Sequence, residues 1–123
     1  MRFIPTRVHG VLDYGTGILL IVVPWLLGFA DGTAAQWVPV VLGVAAILYS
    51  LVTDYELGAF PVLSMPMHLA LDAGSGIILA ASPWLFGFAD RVWLPHLIIG
   101  LFEIAASLLT VTTPGRGTAS RVG

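Results

Sequence analysis

The sequence predicts an all-α fold, a four-helix transmembrane bundle made of two parallel-repeat helical hairpins. Three observations predict it. The first is composition. Of 123 residues, 58% are hydrophobic and 10% are charged, and mean hydropathy is +0.96. An ordinary soluble domain carries about 25% charged residues, and a chain this short has a high surface-to-volume ratio and needs more polar surface, not less. Hydrocarbon is therefore the expected solvent, and intrinsic disorder is excluded by the same apolar excess. The second observation is internal repetition. His9–Asp31 (HGVLDYGTGILLIVVPWLLGFAD) aligns with His68–Asp90 (HLALDAGSGIILAASPWLFGFAD) at an offset of 59, with 14 of 23 positions identical. The third is that four apolar runs, Val8–Phe29, Trp37–Thr53, His68–Phe88 and Trp93–Val111, fall two to each repeat. Each is close to the about 17–25 residues that a membrane-spanning helix requires. None alternates as a barrel strand does.

The repeat continues downstream. Trp37 and Pro39 match Trp93 and Pro95, and Gly43, Ile47, Ser50, Leu51 and Thr53 match Gly100, Ile104, Ser107, Leu108 and Thr110. One membrane domain results, with repeat 1 over about residues 7–56, repeat 2 over about 66–113, and a flexible tail over 114–123. Two helices per repeat make both repeats enter from the same side, related by an axis along the membrane normal.

Taken in order, the first helix is about 33 Å long at 1.5 Å per residue. Met1–Ala35 has the early Arg and apolar core of a signal peptide, but the pattern recurs internally, where no signal peptide acts. Pro24 falls in its last turns and is expected to bend it there. Gly28 suits its end, and Asp31 marks a polar tip. The second helix opens at Trp37, with Pro39 in a first turn, where proline is tolerated. The third repeats the first, with Ser82 placed to bond a carbonyl freed by Pro83, as Val23 cannot. The fourth opens at Trp93, with His96 expected at the interface. All four Trp fall at one boundary, where indoles prefer to sit. Arg2, Arg7, Arg116 and Arg121 share one side against Arg91 alone on the other, which puts both termini in the cytoplasm. The tail arginines are within reach of anionic lipid.

The chemistry-bearing pattern is H-x3-D, present twice as His9/Asp13 and His68/Asp72. Residues i and i+4 share a helix face, so each His can meet its Asp. Gly17 and Gly76 extend that face, with Gly15 and Gly74 nearby, and small residues let helices approach closely. Asp13 lies roughly 8 Å inside the apolar slab, where ionisable groups turn inward or pair. Two His and two Asp can then converge at the cytoplasmic end. Three uses are open: a structural one in which each Asp bonds its own His, a helix-start N–H or a Tyr14-like neighbour; a proton or small-ion site; or a metal or haem site with His9 and His68 as paired ligands. Glu103 has no repeat partner, Ala46 taking its place. A carboxylate at mid-bilayer costs about 2.5–3.5 kcal/mol, so it is expected to be protonated or bonded to Ser107, Ser50 or Tyr49.

The segment Ser82-Pro83-Trp84, inside a duplicated two-helix unit, resembles the SPW-repeat family of small bacterial membrane proteins, named for a Ser-Pro-Trp motif in the first of two membrane helices. The resemblance runs from about Arg7 to Thr112. The first copy, Val23-Pro24-Trp25, lacks the Ser. The resemblance implies fold and an inner-membrane location, and no activity.

Other chemistry is excluded or unsupported. The chain has no Cys, which removes disulfides, thiolate metal sites and covalent haem. It has no basic stripe for nucleic acid, and no nucleophile elbow, HExxH, P-loop or dinucleotide fingerprint. The leading expectation is a non-enzymatic structural or interaction protein without cofactor, its partners the lipid bilayer and a second copy or another membrane protein. The alternatives are a proton, ion or solute transporter using Asp13, Asp72 and Glu103, and haem or metal binding through His9 and His68.

Overall fold

Helix ends, more than helix interiors, fix this architecture. In the computed structural model, which describes residues 1–114, four helices follow one another: α1 (Thr6–Leu26), α2 (Ala34–Leu51), α3 (Met65–Leu85) and α4 (Leu94–Leu109). No strand occurs among the described residues, only two isolated bridges. The tail beyond Pro114, with Arg116 and Arg121, lies outside the described residues. α1 and α2 are long and apolar enough to cross a membrane, and α4 is apolar but shorter, at 16 residues.

Boundaries shift from the apolar runs because caps, not hydropathy, set them. α2 begins at Ala34 because the Thr33 hydroxyl accepts from the Ala35 N–H. α3 begins at Met65 because the Ser64 hydroxyl accepts from Met67 N–H and Pro66 sits in the first turn. Side-chain oxygens at this position satisfy amides that have no intrahelical partner. α4 stops before the end of its run because Thr110 turns extended and bridges Ile4.

The Pro-Trp segments are parts of helix terminators. Gly28 and Gly87 have φ of 77° and 74°, the left-handed conformation that only glycine adopts cheaply. Phe29 N–H returns to Pro24 O and Phe88 N–H to Pro83 O, each at 2.8 Å. This is the Schellman closure, and Phe29 packs on Val23 as the motif's apolar contact. Pro83 cannot donate to Leu79 O, and the Ser82 hydroxyl does so instead at 2.7 Å.

Each helix pairs tightly with its successor, α1 with α2 and α3 with α4, and α2 contacts α3. Glycines permit both crossings. A Cβ on Gly43 would lie 2.6 Å from Gly17 O, and one on Gly100 would lie 2.6 Å from Gly76 O, so the backbones meet at distances no larger residue allows. Gly15 and Gly74 differ from expectation: a Cβ there meets nothing within 4 Å, so they lie off the packing face. The two halves also repeat their terminal bonds. Phe3 and Ile4 N–H both reach Leu109 O, and Val62 and Leu63 N–H both reach Val52 O. α1 and α3 start at the same end, so the halves run in the same sense.

The surface is apolar and the interior carries many polar and ionisable groups among its apolar ones, unlike a soluble domain. Val11, Ile18, Val41, Leu48, Ile77, Ile98 and Leu101 are exposed, while His9, Asp13, His68, Asp72, His96, Glu103 and Ser107 are buried. Trp25, Trp37, Trp84 and Trp93 are all exposed at the end opposite the helix starts of α1 and α3. We call this the outer end, and the other the inner end.

Candidate functional site

The inner end gathers what the sequence placed on two separate helices. His9 and Asp13 lie one turn apart on α1, His68 and Asp72 one turn apart on α3, and all four are buried. One ligand atom from each lies within 4.8 Å of the others. His9 Nε2 is 3.0 Å from Asp13 Oδ1 and 2.7 Å from Asp72 Oδ2. His68 Nε2 is 3.0 Å from Asp13 Oδ2 and 3.2 Å from Asp72 Oδ2. Each His therefore meets its own Asp and the other half's Asp. Of these contacts His9–Asp72 is a well-aligned hydrogen bond. His68 Nε2 approaches both carboxylates yet aligns with neither as a hydrogen bond. It aims between them.

A surrounding layer orients the four. Thr110 gives its hydroxyl proton to Ala106 O at 2.6 Å, so its oxygen can only accept from His9 Nδ1, 2.7 Å away. Thr53 likewise donates to Tyr49 O at 2.6 Å and faces His68 Nδ1 at 2.7 Å. Both Nδ1 atoms are thereby N–H donors and both Nε2 atoms face the carboxylates. The carboxylates accept from tyrosines: Tyr55 donates to Asp13 Oδ2 at 2.6 Å, and Tyr49 donates to Asp72 Oδ1. Burial, and then the Asp13 charge, pushes the Tyr55 hydroxyl up, so it stays a donor.

Sequence reasoning did not place these four around the His–Asp pairs, Tyr49 being expected on Glu103 instead. Thr53 and Thr110 carried a signal, since they are repeat-matched at inner helix ends. Tyr49 and Tyr55 carried none, because their repeat positions hold Ala106 and Thr112. Tyr14, offered as an Asp partner, instead donates to Leu57 O at 2.8 Å.

Glu103 joins the cluster from α4. A cavity of about 20 Å³ is lined by His9, Asp13, Thr16, Asp72 and Glu103, room for about one water. Glu103 Oε1 has no hydrogen-bond partner. The expected bonds to Ser107 and Tyr49 do not form, because Ser107 donates to Ile104 O at 2.7 Å and Tyr49 is taken by Asp72. A haem between His9 and His68 has no room here, with ring centroids 5.5 Å apart.

The outer end is built differently. Phe29, Phe88, Val23 and Ala35 form an apolar cluster. His96, expected at the interface, is instead buried between Phe29 and Phe88, at 5.1 and 4.8 Å, and its Nε2 donates to Ala35 O at 2.9 Å. Its place near the start of α4, on the face turned toward α2, puts it between the hairpins. Arg91 pairs with Asp31 across the tips. Among the Pro-Trp residues, Pro24, Ser82 and Pro83 are buried, whereas Trp25 and Trp84 face outward.

A family model described as the SPW repeat domain matches residues 7–110. No curated protein and no solved structure matches the chain at a significant level.

Proposed function

Since the chain belongs to the SPW repeat family, we propose that it is a multi-pass protein of the bacterial plasma membrane, with both termini cytoplasmic and a non-enzymatic, structural role. Its buried His–Asp cluster is the joint that makes one rigid body of two hairpins, and its apolar outer faces meet lipid and a second membrane protein or a second copy. One observation carries this reading: His9–Asp72 at 2.7 Å and His68–Asp13 at 3.0 Å both run from one half to the other. Four polar groups spent on each other serve cohesion, as ionisable groups in a membrane interior must pair inward.

The cavity and the Glu103 Oε1 without a hydrogen-bond partner favour a second reading, a proton or ion conduit through Asp13, Asp72 and Glu103. Its difficulty is the apolar interior beyond the cavity, where Leu20 and Leu79 are fully buried and Phe88 belongs to the cluster that closes the outer end. Proteoliposomes carrying a pH dye separate the two. The structural reading expects proton flux no greater than in protein-free vesicles. Flux that Asp13→Asn and Asp72→Asn abolish would establish the conduit instead. With no native Cys, single cysteines at Asp90 and Phe60 report topology: the first is expected to label from outside the cell, the second only from inside.

A further inference from the structure

We propose that the inner-end cluster is a binding site for one divalent transition-metal ion of the zinc class, held by His9 Nε2, His68 Nε2 and one oxygen each of Asp13 and Asp72. The inference rests on the cluster being the joint between the hairpins, and adds an ion at its centre.

The donor set comes first. Two imidazole nitrogens and two carboxylate oxygens form a mixed N/O set from four residues, which suits Zn²⁺ in tetrahedral geometry. Imidazole selects against Mg²⁺ and Ca²⁺, which take oxygen ligands in larger number. A tetrahedral site with bonds of about 2.0–2.1 Å places neighbouring ligand atoms about 3.3 Å apart. One ligand atom from each residue already lies within 4.8 Å of the others: His9 and His68 meet the same Asp72 oxygen at 2.7 and 3.2 Å and opposite oxygens of Asp13 at 3.0 Å each, so the Asp13 carboxylate must turn to bring one oxygen to the ion.

Orientation is the second argument. A metal-bound His donates its other ring N–H to an acceptor, which fixes tautomer and ring plane. Thr110 and Thr53 accept from the two Nδ1 atoms, and their own protons are committed to helix carbonyls. Both Nε2 atoms therefore turn to the cluster, where they need either a second proton or an electrophile. Tyr49 and Tyr55 brace the carboxylates in the same way.

The third argument is what the protein leaves without an aligned hydrogen bond. His68 Nε2, fully buried, aims between two carboxylates without a hydrogen bond to either. Glu103, also buried, lines the cavity with His9, Asp13 and Asp72, and its Oε1 has no hydrogen-bond partner. Charge agrees: two carboxylates neutralise one divalent ion, which a low-dielectric interior requires. The cavity beside the cluster, about 20 Å³, leaves space for one water near the ion.

The test uses the full-length protein in mild detergent, stripped with chelator, then given Zn²⁺ or Co²⁺ alone and freed of excess. The inference expects about one ion retained per chain, a Co²⁺ visible spectrum of the intense tetrahedral type, and a rise in unfolding temperature with Zn²⁺. Thr53→Val with Thr110→Val is expected to weaken Zn²⁺ binding by about 10–100-fold while helical circular dichroism is kept. His68→Gln, which keeps polarity and similar volume, is expected to abolish the Co²⁺ spectrum. If the folded wild type retains no more zinc than His68→Gln does, and Co²⁺ gives only the weak octahedral spectrum of the free ion, the inference is overturned. The joint is judged separately, by whether chelated wild type remains more stable than its Asp72→Asn variant.

Discussion

The two ends of this bundle are held shut by opposite means. At the outer end Phe29, Phe88, Val23 and Ala35 pack around His96. At the inner end His9, Asp13, His68 and Asp72 close on one another, with Thr53, Thr110, Tyr49 and Tyr55 around them. Apolar packing is non-directional and tolerates small losses. A buried polar network is high-stakes, because each member satisfies another in low dielectric and a missing one leaves its partner exposed to the full desolvation cost. In a membrane the outer plug gains little over lipid contact, since lipid tails are as apolar as its side chains. The inner end therefore carries the specificity: it fixes which face of each hairpin meets the other.

The strongest way to break that comparison is to remove one partner at each end. Asp72→Asn leaves His9, His68 and Tyr49 facing an amide that cannot balance them, and a broken buried pair costs about 3–5 kcal/mol. His96→Leu keeps volume and loses one hydrogen bond to Ala35 O, worth about 0.5–1.5 kcal/mol. Reversible unfolding of both variants in mild detergent measures the difference. Equal losses would mean that the inner end is no more than packing.

A smaller effect sharpens the account of the Ser-Pro-Trp segment. Ser82→Ala removes the hydroxyl that satisfies Leu79 O behind Pro83. Polar bonds between membrane-helix groups average about 0.6 kcal/mol, reaching about 1.7, and the same unfolding measurement is expected to fall in that range. The first half sets the benchmark, since Val23 precedes Pro24 and offers no hydroxyl. A loss as large as that of Asp72→Asn would place the segment in the joint rather than at a helix end.

How much of this was legible in the sequence follows from what each feature depends on. Helix number and the paired halves were readable, because hydropathy and repetition are local properties of the chain. That His9 and Asp13 could meet His68 and Asp72 was readable, because a repeat carries its partners into equivalent positions, but whether the pairs met or pointed apart depended on how the halves dock. The acceptors were not readable. Thr53 and Thr110 each serve the other half's His, a contact that exists only once the halves are docked. Tyr55 reaches Asp13 from the loop between α2 and α3, where no periodicity guides a reading. Glu103 was legible as an anomaly, but its partners were misassigned, because Ser107 prefers the carbonyl of its own helix, as Ser often does. His96 departs from the interface expected of a residue near a helix start because its face of α4 turns toward α2, between Phe29 and Phe88.

The smallest effect belongs to the outer tips, and its sign is set by Asp31. The Thr33 hydroxyl and N–H, and then Arg91, hold the Asp31 carboxyl below the usual carboxylate range. A carboxyl depressed in the folded state contributes stability above its unfolded pKa, about 3.9 for Asp, and loses it as pH falls through the lower folded value. Wild type is therefore expected to weaken below about pH 4 relative to Asp31→Asn, which has no carboxyl to protonate, with no pH-dependent difference near neutrality. The group is solvent-exposed, so salt screens its pairing with Arg91, and the acid-range difference should shrink as ionic strength rises. The inner cluster is buried, and a salt titration that weakened the Asp72→Asn effect as much as the Asp31→Asn effect would mean that its charges are screened as surface charges are.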